Sequence, residues 1–232
     1  MYNRVFTKDN ICIIALLENR HTGSRLVIAN VHVHWDPEFR DVKLVQVAVM
    51  MDELEKIANR FASLPPRLLD GSHGPHTNGT SNGVDNGASS SASSSSPESA
   101  EQKPPRLAPR YDDGTKIPTI VCGDFNSIPS SGVYEFLVNG SLAPGHVDFM
   151  ERKYGKYTSG DGMRHNFSLK SAYATALGSE LPITNYTPSF KGVIDYIWYT
   201  NMSLSVEAVL GEVDEKYLEK VVGFPNAHFP SE

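Results

Sequence analysis

The chain has 232 residues, 40% of them hydrophobic, and a formal net charge of -6. That length allows one large domain or two small ones, and the composition supports a real core. The acidic balance argues against a protein that coats nucleic acid by bulk electrostatics; it leaves room for an enzyme that grips a few phosphates through a divalent cation.

The polar start MYNRVFTKDN does not read as a signal peptide, and the longest apolar run, ICIIALL (11–17), is far short of a membrane span. A soluble intracellular protein is therefore expected. NICIIALLENR and RLVIANVHVHW predict two strands joined by a turn at His21-Thr22-Gly23. A long helix follows over about 40–61, where Val47, Met50, Leu54, Ile57 and Phe61 recur every three or four residues. Residues 63–116 stand apart: seven of the eight residues 89–96 are Ser, and apolar side chains are too sparse to offset ordering entropy. This stretch is read as a disordered insertion between two ordered blocks, 1–62 and 117–232.

In the second block IPTIVCGD predicts a strand, and SSGVYEFLVNG a short helix stopped by Gly140. SLKSAYATALG predicts another helix. GVIDYIWYT and SLSVEAVLG are expected as antiparallel strands across Asn201-Met202, before a short helix in DEKYLEKV. Interleaved strands and helices place the chain in the α/β or α+β class. Cys12 and Cys122 lie in apolar strand-like runs and read as buried thiols rather than a disulfide.

Four groups of residues could carry chemistry. In NVHVHWDP, His32 and His34 are expected to share a strand face, as polar strand-end residues or as ligands. In GDFN, Asp124 and Asn126 share a face. Asp124 suits magnesium, a hard cation that prefers carboxylate oxygen, and Asn126 suits a phosphate oxygen. An Asx turn is the competing reading. Asp195, inside the apolar run GVIDYIWY, is costly unless paired or coordinated. In NYTPSFK, Phe190 is either core or a stacking platform for a base, with Asn185 reading a polar edge. A His, an Asp/Asn pair and a second Asp at strand ends match the needs of metal-assisted phosphodiester hydrolysis.

The strings KDNI, HVHWDPEFRDVKL, GDFNSIPSSGVYEFL, NYTPSFKGVIDYIWY and AHFP resemble the poly(A)-specific deadenylases of the endonuclease/exonuclease/phosphatase superfamily. The resemblance covers nearly everything outside 63–116. It implies an α/β sandwich of two β-sheets packed face to face between helical layers. It also implies magnesium-dependent 3′-to-5′ shortening of poly(A) RNA, membership of the Not deadenylase complex, no membrane association, and a place in the cytoplasm and nucleus. By position, His32 would contact the scissile phosphate and Asp124 would serve near the metal and water. Asn126 would bind phosphate and Asp195 would complete the acidic cluster. Pro37 and Phe190 would sandwich an adenine that Asn185 contacts. The family's magnesium-binding glutamate and its terminal Asp-His lie outside this chain. The resemblance therefore implies only the C-terminal part of the nuclease domain, with an apolar sheet face uncovered, marginal stability and little activity. A non-catalytic RNA-binding or assembly subunit, or another phosphoesterase of the same superfamily, are the alternatives.

Overall fold

The computed structural model describes residues 2–68 and 108–229. The sequence reading of disorder therefore falls, over 69–107, outside the described residues. Of the flanking residues 108–116, Gly114 is buried, while Pro109, Arg110, Asp112 and Lys116 are exposed. A short 3-10 turn, Gly114–Lys116, lies on the long helix, where the Gly114 N–H donates to Asn59 Oδ1 at 2.8 Å. A Cβ on Gly114 would come within 2.2 Å of the Asn59 nitrogen, so glycine lets this turn sit against the helix backbone.

The strands are β1 (Cys12–Glu18), β2 (Arg25–His32), β3 (Thr119–Asp124), β4 (Ser141–Leu142), β5 (Met163–Arg164), β6 (Leu169–Ser171), β7 (Asn185–Thr187), β8 (Phe190–Gly192) and β9 (Asp195–Thr200). The helices are α1 (Arg40–Ser63), α2 (Gly132–Asn139), α3 (Ala172–Leu177) and α4 (Glu215–Leu218). Five strands form one sheet in the order β1-β2-β3-β9-β6, with β2 and β3 parallel and the other pairs antiparallel.

Period-2 alternation divides this sheet into two unlike faces. Val27, Ala29 and Val31 of β2, Val121 of β3 and Tyr196 and Trp198 of β9 point into the core. There they meet one side of α1, whose Val47, Met51, Leu54 and Ala58 are buried. The opposite face carries Ile13, Leu26, Ile28, Ile120 and Ile197. Ile13 is 64% exposed and Ile197 43%. The described residues thus supply one five-stranded sheet, packed on α1 through one face and with an open apolar face on the other, beside the two-stranded pairs β4–β5 and β7–β8, in keeping with the sandwich class.

Two expected elements come out differently. Leu169–Ser171, read as helix, is strand β6, and the helix begins only at Ala172, capped by the Ser171 hydroxyl. SLSVEAVLG forms no strand, because both edges of β9 are already occupied by β3 and β6. Gly140 ends α2 as expected, with φ 71.

Candidate active site

The candidate residues meet through strand register. His32 ends β2, Asp124 ends β3 and Asp195 begins β9. The pairing places His32 opposite Asp124 and Asp124 opposite Asp195. All three occupy one row across three adjacent strands, at the end of the open face, although 163 residues separate the first from the last. His32 Nε2 lies 3.6 Å from Asp124 Oδ2.

The glycine of GDFN has a steric reason. Gly123 sits on the core side at φ 130, and a Cβ there would lie 2.0 Å from the Val31 carbonyl oxygen. Only glycine lets β3 close on β2 directly before the aspartate. Asn126 then turns left-handed at φ 46, a conformation that costs a non-glycine residue about 1 kcal/mol and is least costly for Asn and Asp. Its N–H donates to Asp124 Oδ1 at 2.6 Å, and its side-chain amide donates to the Val33 carbonyl at 2.9 Å. The Asx turn and the catalytic reading of Asp124 are therefore compatible: Oδ1 fixes the turn while Oδ2 faces His32. One of the two Asn126 amide hydrogens is committed to Val33.

Asp195 is held by Thr184, which the sequence reading did not single out. The Thr184 hydroxyl donates to Asp195 Oδ2 at 2.6 Å and accepts from the Ile194 and Asp195 N–H groups at 3.0 and 3.1 Å. Lys43 was also missed. It is buried on α1 and donates to the Asn126 carbonyl at 2.6 Å. Burial lowers its pKa, and Asp36, Asp124 and Asp148 act in the opposite direction. Nothing in periodicity flags a lysine that occupies a helix position facing a site built 80 residues later.

His34 does not join His32. Strand β2 ends at His32, and His34 turns inward, packing edge-on against Phe39 at 5.1 Å. Burial, followed by the Lys8 charge, lowers its pKa, and the side chain is buried in the core. Pro37 opens a 3-10 turn (Pro37–Phe39), started by Asp36 Oδ1 accepting from the Glu38 N–H, and is exposed. Asn185 and Phe190 lie on a hairpin, β7–β8, that the sequence reading left without structure. They are half-buried, and the Phe190 ring crosses Gly192, where an added Cβ would come within 2.9 Å of Cζ. This hairpin leads directly into Asp195, so Pro37, Asn185 and Phe190 all belong to loops at the sheet end that carries His32 and Asp124. A 310 Å³ cavity between β1, β2 and α1 opens beside His32.

Among the described residues, no group of three His, Cys, Asp or Glu side chains converges on a single point. The local donor set is Asp124 and Asp195 on adjacent strands. Two hard carboxylates suit a cation that takes one or two protein oxygens and keeps its own water.

A mixed sheet thus carries the His32–Asp124–Asp195 row at its end, reached by a Gly-Asp-Phe-Asn turn. The Endonuclease/Exonuclease/phosphatase family matches over residues 73–217, and the chain belongs to that family. Two curated relatives are named CCR4-Not complex 3'-5'-exoribonuclease subunit Ccr4. The one from Mycosarcoma maydis is 53% identical and the one from Schizosaccharomyces pombe 48%, each over the whole of this chain. The chain spans 30% and 29% of their respective lengths. A crystal structure of ANGEL2, a 2',3'-cyclic phosphatase, in complex with adenosine-2',3'-vanadate, aligns with TM-score 0.61 at 20% identity, covering 98% of this chain and 60% of that one. At that identity the likeness concerns the fold alone. No described helix is long and apolar enough to cross a membrane.

Proposed function

We propose that the chain carries part of the active site of a magnesium-dependent 3′-to-5′ exoribonuclease that shortens poly(A) tails as a subunit of the Not deadenylase complex, acting in cytoplasm and nucleus. The observation that carries the reading is the His32–Asp124–Asp195 row across β2, β3 and β9. Two relatives named as Ccr4 exoribonuclease subunits support the reaction class.

In this reading, Asp124 and Asp195 would hold magnesium, which supplies charge neutralisation at the phosphate when bound. Asp124 orients the attacking water and takes its proton. Thr184 keeps the Asp195 carboxylate aimed along the strand row. His32, at the exposed end of the row, and the second Asn126 amide hydrogen donate to non-bridging phosphate oxygens, stabilising the charge that develops as water attacks. Phe190 stacks on the terminal adenine, Pro37 closes on its other side and Asn185 reads its edge. As the water oxygen bonds to phosphorus, the bond from phosphorus to the 3′ oxygen of the penultimate nucleotide breaks; that oxygen takes a proton from solvent and becomes the new 3′ end, and the terminal nucleotide leaves as AMP.

The test is release of AMP from a labelled oligo(A) tail in magnesium, comparing this chain with a form extended at both ends and with Asp124→Ala in each. Trimming that Asp124→Ala abolishes is the expected result. Binding of oligo(A) without any trimming in the extended form would replace this reading with a non-catalytic RNA-binding subunit. Cleavage of other phosphoesters in place of oligo(A) would keep the family and change the substrate.

A further inference from the structure

Lys43 occupies a position that the local sequence does not explain. It lies in the first turn of α1, where the helix dipole disfavours a cation, and it is 5% exposed, where burial disfavours any charge. A leucine or methionine would serve the packing of α1 better. What the lysine gains is across the molecule. Its ammonium reaches the carbonyl of Asn126 at 2.6 Å, 83 residues away. Asp36, Asp124 and Asp148 are the acidic groups that act on it.

The residue it grips is the strained one. Asn126 is left-handed, and its N–H fixes Asp124 Oδ1 while its side chain ties back to Val33. These bonds secure the nitrogen side of the turn, and Lys43 secures the carbonyl side. We propose that Lys43 is a positioning residue: it clamps the Asn126 carbonyl, holds the left-handed turn after β3, and so keeps Asp124 facing His32. A polar site assembled on a strand end stays aligned only when its supporting bonds are satisfied on every side. The consequence for catalysis rests on the exoribonuclease reading; the clamp itself does not.

The test is amide hydrogen exchange in the full chain with Lys43→Met, which keeps the length of the stem and loses the donor. Exchange at the Asn126 N–H is expected to accelerate at least tenfold, with the Val121 and Trp198 amides of the sheet unchanged. Lys43→Arg, which keeps a cationic donor, is expected to retain most of the protection. Lys56→Met, at an exposed lysine of the same helix, should change nothing at Asn126. Unchanged exchange at Asn126 in Lys43→Met would overturn the proposal. So would equal acceleration of the Val121 and Trp198 amides, which would mark general loss of packing, or equal loss in the Met and Arg variants, which would mark a role of side-chain shape alone. Exchange requires neither oligo(A) nor a cation, so its outcome is independent of whether the chain trims poly(A).

Discussion

Replacing Asp41 by Asn isolates the anchor that holds the start of α1, and with it the turn bearing Pro37 and the helix position of Lys43. Asp41 is fully buried. Arg4 clasps both its oxygens, with Nε at 2.7 Å and Nη2 at 3.0 Å; the Tyr154 hydroxyl donates to Oδ2, and Arg152 Nε stands 3.3 Å away. Burial pushes the Asp41 carboxyl up, but hydrogen bonds from Arg4 and Tyr154 and the Arg4 charge outweigh it, so the group titrates below its ordinary range. Breaking a buried ion pair by removing one partner costs about 3–5 kcal/mol. Arg4 is 26% exposed, which places Asp41→Asn near the low end, about 3 kcal/mol. For a domain of this size each kcal/mol moves Tm by about 2–4 °C, so calorimetry should show a fall of about 6–12 °C. The sign with pH follows from the depressed folded pKa. The stabilisation is fully present above the unfolded carboxylate value near 3.9, and it is lost as pH falls through the lower folded value. Wild type should therefore lose this increment below about pH 4, and Asp41→Asn should lack that part of the slope. A change under 1 kcal/mol, or an unaltered acid limb, would refute the argument.

Gly123→Ala puts a methyl group against the Val31 carbonyl at a backbone angle that L-residues avoid, and should cost about 3 kcal/mol or more in urea unfolding while abolishing any hydrolysis that depends on Asp124. Thr184→Val keeps the shape and removes the hydroxyl shared by Asp195 Oδ2 and two backbone N–H groups; a loss of about 2–3 kcal/mol is expected, measured against Thr187→Val on the neighbouring hairpin. Burial raises the Cys12 thiol to about 11, so alkylation by iodoacetamide at pH 7.5 should run on the order of 100-fold slower than for free cysteine, with no disulfide to Cys122; rapid labelling in the native state would contradict the burial. Ile13→Lys with Ile197→Lys places charge on the open sheet face and should lower dye binding and self-association in light scattering, leaving Tm within about 2 °C.

Much of the site was legible because chemistry and period coincide in short strings. Alternation in RLVIANVH and TIVCGD fixes which residues leave each strand on which face, so His32 and Asp124 could be chosen before any contact was known. Ser131 and Gly140 bracket α2 for local reasons, a hydroxyl cap and a left-handed exit, and these are readable in any context. Where the reading failed, the deciding interaction was distant. LKS at 169–171 has a helical neighbour and no strong pattern of its own; it becomes β6 by pairing with the edge of β9 at Thr200, Tyr199 and Trp198. SLSVEAVLG looks like a strand and is none, because no edge of β9 remains for it. His34 breaks from His32 because β2 ends at His32, before the alternation reaches His34, whose N–H donates to Gln46 Oε1 instead.

By itself the sequence determined the strand faces, the long helix, the turn chemistry of Gly-Asp-Phe-Asn and the identity of the carboxylates. Only the tertiary structure decided that the residues of three strands form one row, that Thr184 aims Asp195, and that a lysine of α1 reaches the Asn126 carbonyl. The physical reason is range. Side-chain alternation, capping and turn preference act within a few residues of chain, whereas register and buried charge are set by whichever partner the folded chain brings across, 83 residues away for Lys43 and 163 for the ends of the His32–Asp195 row.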